Sequence, residues 1–416
     1  LSLLSGCVTV QPPNPDDTGS EVIKDNGLRA NLDTFKSCGD MKEYIDKRVA
    51  ENGTRYFYEE RMMKSSIAPT AASDNAVGSS EGGSSNYSTT NIQVAGVDEA
   101  DIIKNDGKFI YMVRGPVVSI IQAYPPNQMK ELKTLKFNEA GNFTPQEMYV
   151  DGDTLIVIGR SYGDIIRPMG AEYKEMYAPY QNSNTTGIYI FDISDRNNPE
   201  VKRNVSFEGN YISSRKIDDT VYLVTNKYLY QYYPVPLYKD SAQSSPEPVA
   251  RCSDVGYFPH SQAANYMVVA GISTDDYDKE ISKEVVVGSS ENVYSSTKNL
   301  YVAETEYNGY YEGLVYDSGK DEEEKTNIFK FRLDDGEVKY DGSGEVPGHI
   351  LNQFSMDEND GYFRIATTIG EVWDSKKKAT NNLYVLDDNM KTVGKIEEIA
   401  PGEKIYSVRF MGDRAY

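Results

Sequence analysis

From Ile92 to the end of the chain, apolar and polar positions alternate in short runs separated by turns rich in Asp, Asn and Gly. This alternation predicts strands with one buried face, because successive side chains of a strand point to opposite faces. The clearest unit is an acidic or Gly turn followed by one such strand. It recurs at residues 105–113, 151–158, 218–224, 296–303, 360–366 and 412–416.

A second unit, made of a strand, a polar turn and another strand, follows several copies of the first. It occupies residues 186–201, 327–340 and 382–396. Each period therefore contains four strands. The total number of strands is too large for one β-sandwich, and the repeat is too long for a parallel β-helix. We expect an all-β fold, a β-propeller of about 6–8 four-stranded blades. Because the sequence stops within a strand, we expect the propeller over residues 92–416 to be C-terminally incomplete.

Residues 8–64 are expected to form a tether and a short N-terminal helical segment. Ser37 is a suitable N-cap for that helix, and Gly53 is a suitable stop. A helical period places four side chains on one face, namely Met41, Tyr44, Ile45 and Val49. Residues 65–91 are rich in Ser and Gly, which is typical of a flexible linker.

The first seven residues, which end in Leu4-Ser5-Gly6-Cys7, resemble the end of a lipoprotein signal peptide. We interpret Cys7 as the lipidation site and residues 1–7 as the end of the signal. The alternative is a piece of buried strand or helix. The lipoprotein interpretation predicts an extracytoplasmic protein of the cell envelope, lipid-anchored or secreted.

Two further cysteines, Cys38 and Cys252, remain after Cys7 is assigned to the lipid. Outside the cytoplasm such a pair is able to form a disulfide. Two separate buried thiols are the alternative.

The chain has 64 acidic and 43 basic residues, and its formal net charge is −21. Nucleic-acid binding needs a basic face that neutralises phosphates, so this charge excludes a nucleic-acid partner. No run approaches about 18 consecutive apolar residues, so a membrane is expected to be contacted only through a lipid anchor. The chain contains only two histidines, His260 and His349, which excludes a His-rich metal site.

Four stretches resemble a family of secreted prokaryotic and archaeal proteins that carry a C-terminal β-propeller distantly related to WD40 repeats. The stretches are residues 90–107, 191–195, 351–358 and 400–413. The resemblance covers the chain from residue 90 to its end. It implies a propeller fold and a secreted or lipoprotein location, and it implies no activity.

Two acidic stretches are candidates for a cation site, since carboxylate and amide oxygens at short spacing suit Ca²⁺. The first contains Asp98, Glu99 and Asp101, and the second contains Asp357 and Asn359. The alternative is that these side chains cap backbone amides in turns. Calcium is therefore a possible ligand, and no other cofactor is expected.

Catalytic motifs are scarce in the sequence. Residues 78–82 match Gly-x-Ser-x-Gly, but they lie in the linker without the flanking strand and helix that a nucleophile elbow needs. No catalytic residue is assigned.

Two long insertions are rich in Tyr, a residue that offers a large contact area and a hydrogen-bonding tip. Their candidate binding residues are Tyr173, Tyr177, Tyr180, Tyr230, Tyr232 and Tyr233. The alternative is that these loops pack onto their own blades.

These features favour a binding or scaffold module for a protein or glycan ligand. A glycan- or peptide-directed hydrolase or lyase with a site in the central channel is the second hypothesis. A structural envelope protein stabilised by Ca²⁺ is the third.

Overall fold

A computed structural model describes most of the region predicted to form strands and the helix before it. The described residues are 8–9, 32–52, 92–137, 142–162, 165, 184–229, 235–243, 245–258, 265–306, 310–311, 314–315, 324–370, 372 and 378–416. They form two compact units. One comprises residues 33–289 and 335–338, and the other comprises residues 1–32, 290–334 and 339–416.

The N-terminal elements are two short strands and one helix. Strand β1 is Val8–Thr9, strand β2 is Asp33–Thr34, and helix α1 is Cys38–Asn52. The Ser37 hydroxyl accepts a hydrogen bond from the Asp40 amide at 3.1 Å, which satisfies one of the free N–H groups of the first turn. Met41 and Ile45 are buried on one face. The predicted cap is therefore confirmed, as are Met41 and Ile45 of the predicted face. Tyr44 is half-buried, and the side chain of Val49 lies outside the described residues.

The unit of residues 33–289 contains three sheets, each built around four antiparallel strands that we call a blade. The first blade is β3 (Ile103–Asn105), β4 (Phe109–Arg114), β5 (Val117–Gln122) and β6 (Lys130–Lys136). The second is β7 (Thr144–Asp151), β8 (Thr154–Tyr162), β9 (Asn184–Asp192) and β10 (Glu200–Glu208).

The third blade encloses three extra strands between its second and third strands. Its elements are β11 (Asn210–Ile217), β12 (Thr220–Tyr228), β13 (Leu237–Asp240), β14 (Glu247–Pro248), β15 (Gly256–Tyr257), β16 (Asn265–Ser273) and β17 (Ser282–Val287). Strand β13 pairs with β10 of the second blade and carries β14 on its other edge. Strand β15 pairs with β17 and also with β2, so the N-terminal segment extends this sheet.

The second unit contains two blades and a three-stranded sheet. The fourth blade consists of β18 (Asn292–Ser295), β19 (Asn299–Glu306), β22 (Lys325–Asp334) and β23 (Glu337–Pro347), with the hairpin β20 (Tyr310–Tyr311) and β21 (Leu314–Val315) inserted. The fifth is β24 (Met356–Asn359), β25 (Tyr362–Ile369), β26 (Thr380–Leu386) and β27 (Thr392–Ile399). Strands β28 (Phe410–Met411) and β29 (Arg414–Ala415) form a hairpin, and β1 pairs with β29.

The expectation of an all-β fold built from four-stranded blades is confirmed. Five of the six predicted turn-and-strand units join the first and second strands of a blade, and the sixth, at residues 412–416, belongs to the hairpin of β28 and β29. The predicted strand–turn–strand units join the third and fourth strands of their blades. Several turns need a left-handed backbone, and Asp218 and Asp360 adopt φ values of 45° and 51°. Asp tolerates this conformation better than most residues, which explains the acidic turns of the pattern.

This connectivity gives each blade two different ends. The tight turns between strands one and two and between strands three and four lie together at what we call the turn end. Because neighbouring strands are antiparallel, the connections between strands two and three lie at the opposite end of the blade, which we call the insertion end.

Helix α1 and the residues before it are part of the core of the first unit. Phe35, Met41 and Ile45 pack in one buried cluster with apolar side chains of the second and third blades, such as Ile190 and Val268. The Phe35 ring stacks on Tyr257 at 4.3 Å between centroids.

A disulfide fastens the helix to the insertion of the third blade. It joins Cys38, the first residue of α1, to Cys252, which follows β14, across a sequence separation of 214 residues. A crosslink over so long a segment removes much of the conformational freedom of the unfolded chain.

Replacing both cysteines, as Cys38→Ser with Cys252→Ser, is expected to lower the free energy of unfolding by about 3–5 kcal/mol. Guanidinium denaturation under oxidising conditions measures this difference. A reductant should bring the wild-type midpoint down to that of the double variant and leave the variant unchanged. Equal midpoints for the two oxidised proteins would contradict the stabilising role.

Candidate functional site

The insertion ends of the second and third blades carry the two Tyr-rich stretches. Strand β8 ends at Tyr162 and β9 begins at Asn184, so the first stretch connects strands two and three of the second blade. The second stretch leaves β12 at Tyr228 and reaches β13 at Leu237, in the equivalent connection of the third blade. All six candidate tyrosines, Tyr173, Tyr177, Tyr180, Tyr230, Tyr232 and Tyr233, lie outside the described residues.

Buried ion pairs hold the base of the third-blade insertion in place. The Arg203 guanidinium of β10 donates to the Asp240 carboxylate of β13 at 2.6 Å, and both side chains are almost completely buried. Glu208 accepts from the Lys227 ammonium at 2.5 Å and from the Leu237 amide at 2.9 Å. A buried charge is tolerated only when it is paired in this way, so removing one partner is strongly destabilising.

The first acidic stretch lies against the first strands of two blades. Asp98 exchanges two backbone hydrogen bonds with Lys216 of β11, at 2.8 and 3.0 Å. Asp101 does the same with Met148 of β7, at 3.1 and 2.9 Å. The stretch therefore acts as an additional short strand that bridges the second and third blades.

The carboxylates of this stretch already have protein partners. The buried Lys104 ammonium donates to Asp98 Oδ1 at 2.8 Å and to the Glu99 carbonyl at 2.6 Å. Glu99 Oε1 accepts from the Gln93 amide at 3.4 Å, and Asp101 Oδ1 accepts from the Ile102 amide at 2.6 Å.

The second stretch lies on β24 and also has partners. Asp357 pairs with the Arg364 guanidinium, which also donates to the Gly412 carbonyl at 2.7 Å. The Asn359 amide donates to Asp360 at 3.4 Å. In the described part of the chain, no three His, Cys, Asp or Glu side chains converge in the way that a metal ion requires.

A polar cluster on the first strands β7 and β11 is the arrangement most suited to chemistry. The Tyr211 hydroxyl donates to Glu147 Oε2 at 2.7 Å and lies 2.9 Å from the Ser214 hydroxyl. The Ser214 hydroxyl in turn lies 2.8 Å from the Tyr149 hydroxyl. A continuous chain of hydroxyl groups therefore ends on one carboxyl group.

Arg215 supplies the positive charge of this cluster. It is almost fully buried, and its guanidinium donates to the Ser213 hydroxyl and to the Ser214 carbonyl, each at 2.6 Å. Its charge lowers the pKa of Glu147, but burial and the nearby carboxylates of Asp101 and Glu99 act in the opposite direction.

The net result is that burial raises the pKa of Glu147 above that of an ordinary glutamate. Burial also raises the pKa of Tyr149 and Tyr211, so both phenols stay protonated and donate hydrogen bonds. A half-buried carboxyl group with a raised pKa is suited to general acid or base work, and such shifts cluster at functional sites.

The sequence patterns do not reveal this cluster. Glu147 and Tyr211 are distant along the chain and become neighbours only when β7 and β11 pack in one unit. A local signal does exist, since residues 213–216 place two serines and two cations in a strand whose last four positions are buried. Polar side chains at buried strand positions indicate a network that has to be satisfied internally.

The cysteine predictions concern two places in the chain. Cys38 and Cys252 are joined in the disulfide described above. Cys7 lies outside the described residues. Among the residues that the structure describes, no helix has the length and apolar character needed to cross a membrane.

Comparison with protein families identifies most of the chain. The family model described as "Beta propeller domain" matches residues 87–416. An uncharacterized protein of Methanocaldococcus jannaschii is 27% identical over 492 residues, covering 100% of this chain and 70% of the relative. An uncharacterized protein of Archaeoglobus fulgidus is 29% identical over 450 residues, covering 92% of this chain and 69% of the relative.

Two solved structures share a distant likeness with the chain. An acylaminoacyl peptidase in complex with Z-Gly-Gly-Phe-chloromethyl ketone has 12% identity and a TM-score of 0.24, with 71% of this chain and 45% of the peptidase covered. A hypothetical selenium-binding protein from Sulfolobus tokodaii has 8% identity and a TM-score of 0.22, with 73% and 80% covered. At these TM-scores the likeness supports no argument about function.

The raised pKa of Glu147 predicts a pH-dependent effect of Glu147→Gln. The protonated carboxyl group stabilises the fold below the pKa of the unfolded chain, and this contribution is lost as the pH rises through the higher pKa of the folded state. Glutamine keeps an acceptor for Tyr211 and does not ionise. The unfolding free energy of the variant relative to wild type should therefore increase as the pH rises above the pKa of an ordinary glutamate, about 4.3.

Urea denaturation at several pH values measures this difference. Glu280→Gln is the matched control, because Glu280 is an exposed glutamate of the same unit. A difference for Glu147→Gln that stays constant or falls with rising pH would contradict the raised pKa.

Proposed function

The chain belongs to the family of β-propeller domain proteins, and from that premise we propose that it is an extracytoplasmic binding module. Its ligand is a protein or a glycan, held at the insertion ends of the blades. The observation that carries the proposal is the placement of the two Tyr-rich stretches, which lie at the insertion ends of the second and third blades. Loops that carry recognition residues on a rigid scaffold are a common arrangement of binding proteins.

The anchoring of the third-blade insertion supports this assignment. The insertion is held by the disulfide at Cys252, by the Arg203–Asp240 pair and by the pairing of β13 with β10. When the residues at the start and end of a loop are held in place, ordering the loop around a ligand costs less entropy. Tyrosines on a loop anchored in this way add contact area with little further loss of conformational entropy.

The extracytoplasmic location is part of the same proposal. Disulfides persist mainly in oxidising compartments, and the Cys38–Cys252 bond supports this location. The Leu4-Ser5-Gly6-Cys7 sequence adds a site for a lipid anchor. Together they suggest a protein held at the outer surface of the membrane through Cys7.

The binding proposal is tested by substituting the tyrosines of the first insertion. The variant Tyr173→Ser with Tyr177→Ser and Tyr180→Ser should lose most of its cosedimentation with isolated envelopes of the producing cells. Tyr406→Ser is the matched control, since Tyr406 is an exposed tyrosine elsewhere in the chain. Periodate or protease treatment of the envelopes distinguishes a glycan from a protein ligand. Full retention of the triple variant would overturn the proposal.

A second candidate function, favoured by the Glu147 cluster, is a hydrolase or lyase acting on envelope glycans or peptides. Glu147 would act as the general acid or base, and Arg215 would stabilise negative charge. Burial raises the pKa of Tyr211 and Tyr149, so both phenols stay protonated and proton transfer is assigned to the carboxyl group.

The enzyme candidate predicts soluble fragments when purified protein is incubated with isolated envelopes. Mass spectrometry of the supernatant should show them with wild type and with Glu280→Gln. Glu147→Gln should lower their rate of release at least about 100-fold, the contribution typical of a general acid or base. Release at the wild-type rate by Glu147→Gln, or no fragments from wild type, would reject this candidate.

A further inference from the structure

A cavity of about 370 Å³ opens at the turn ends of the first and second blades. One wall is a row of side chains across three strands of the first blade. Phe109 of β4 lies opposite Gln122 of β5, and Gln122 lies opposite Lys130 of β6. Directly opposed residues of an antiparallel sheet share one face, so these three side chains form a continuous surface.

The other wall is the turn of residues 194–197, which follows β9 in the second blade. Arg196 holds this turn in place. Its guanidinium donates to the Gly152 carbonyl at 2.9 Å and to the Tyr111 hydroxyl at 3.3 Å, and it pairs with the Asp153 carboxylate. The cavity is therefore bounded by a sheet face and by a turn that is fastened to both blades.

The charge of this cavity is opposite to that of the chain as a whole. Lys108 and Lys130 line it, and within the described part of the chain neither ammonium has a carboxylate at ion-pair distance. The Lys108 ammonium lies 5.2 Å from the centre of the Phe109 ring. Asp195 is the acidic residue of the lining, and its carboxylate is engaged by the Asn197 amide nitrogens at 3.0 and 3.2 Å.

We propose that this cavity binds a small hydroxylated anion, namely a sugar acid or a sugar phosphate. Lys108 and Lys130 would pair with the anionic group, which carboxylate and phosphate share. Gln122, Ser194 and Asn197 offer hydrogen-bonding groups for hydroxyls, and Phe109 offers an apolar surface. The volume lies at the small end of the range for ligand sites and suits one or two sugar units. The site lies at the turn end and is separate from the proposed binding face.

Isothermal titration of the full chain with three probes tests the proposal. The probes are glucuronate, glucose 6-phosphate and, as the neutral control, glucose. At least one of the two anions should bind, and should bind more tightly than glucose. Preference for glucuronate or for glucose 6-phosphate identifies the natural class, and affinity should fall as salt is added, because the pairs are exposed.

Substitutions then locate the site. Lys108→Gln and Lys130→Gln should each weaken anion binding by about two- to fivefold, as expected for the loss of an exposed ion pair. Lys136→Gln is the matched control, since it removes the same charge at the other end of β6, outside the cavity. Absence of anion binding to wild type, binding equal to that of glucose, or equal affinity in both cavity variants and wild type would overturn the proposal.

Discussion

The tight turns that join strands one and two, and strands three and four, constrain everything else in this protein. Several of these turns use a left-handed backbone, as at Asp218 and Asp360. In the second and third blades the turns between strands one and two are short, and the long connections lie at the opposite end. The Tyr-rich stretches therefore leave from insertion ends, and the fastened turn of residues 194–197 forms the wall of a cavity at a turn end.

Burial of the N-terminal segment is the second feature that organises the first unit. Phe35, Met41 and Ile45 enter the same apolar cluster as the second and third blades, and β2 extends the third sheet through β15. The disulfide between Cys38 and Cys252 then joins this segment to the insertion it covers. Helix α1 is thus part of the scaffold of the proposed binding face.

The local features of the fold are predictable from the sequence. The turns at residues 151–154 and 217–220 follow from acidic and Gly residues before alternating strands, and α1 follows from the Ser37 cap and its apolar period. These features depend on a few adjacent residues, so they can be predicted from the sequence alone. The Glu147 cluster depends instead on the packing of β7 beside β11, and the cavity depends on the register of three strands with a turn of another blade. Neither the cluster nor the cavity corresponds to a motif at fixed spacing, so the sequence patterns predict neither of them.

The central claim is that ligand binding uses the insertion ends of the blades. Hydrogen–deuterium exchange of the full chain, free and bound to isolated cell envelopes, tests it most directly. Binding at the insertion ends should slow exchange in peptides from residues 163–183 and 229–264 and leave exchange unchanged in the turns at residues 151–154 and 217–220. Protection of those turns, with unchanged exchange in both insertions, would contradict it.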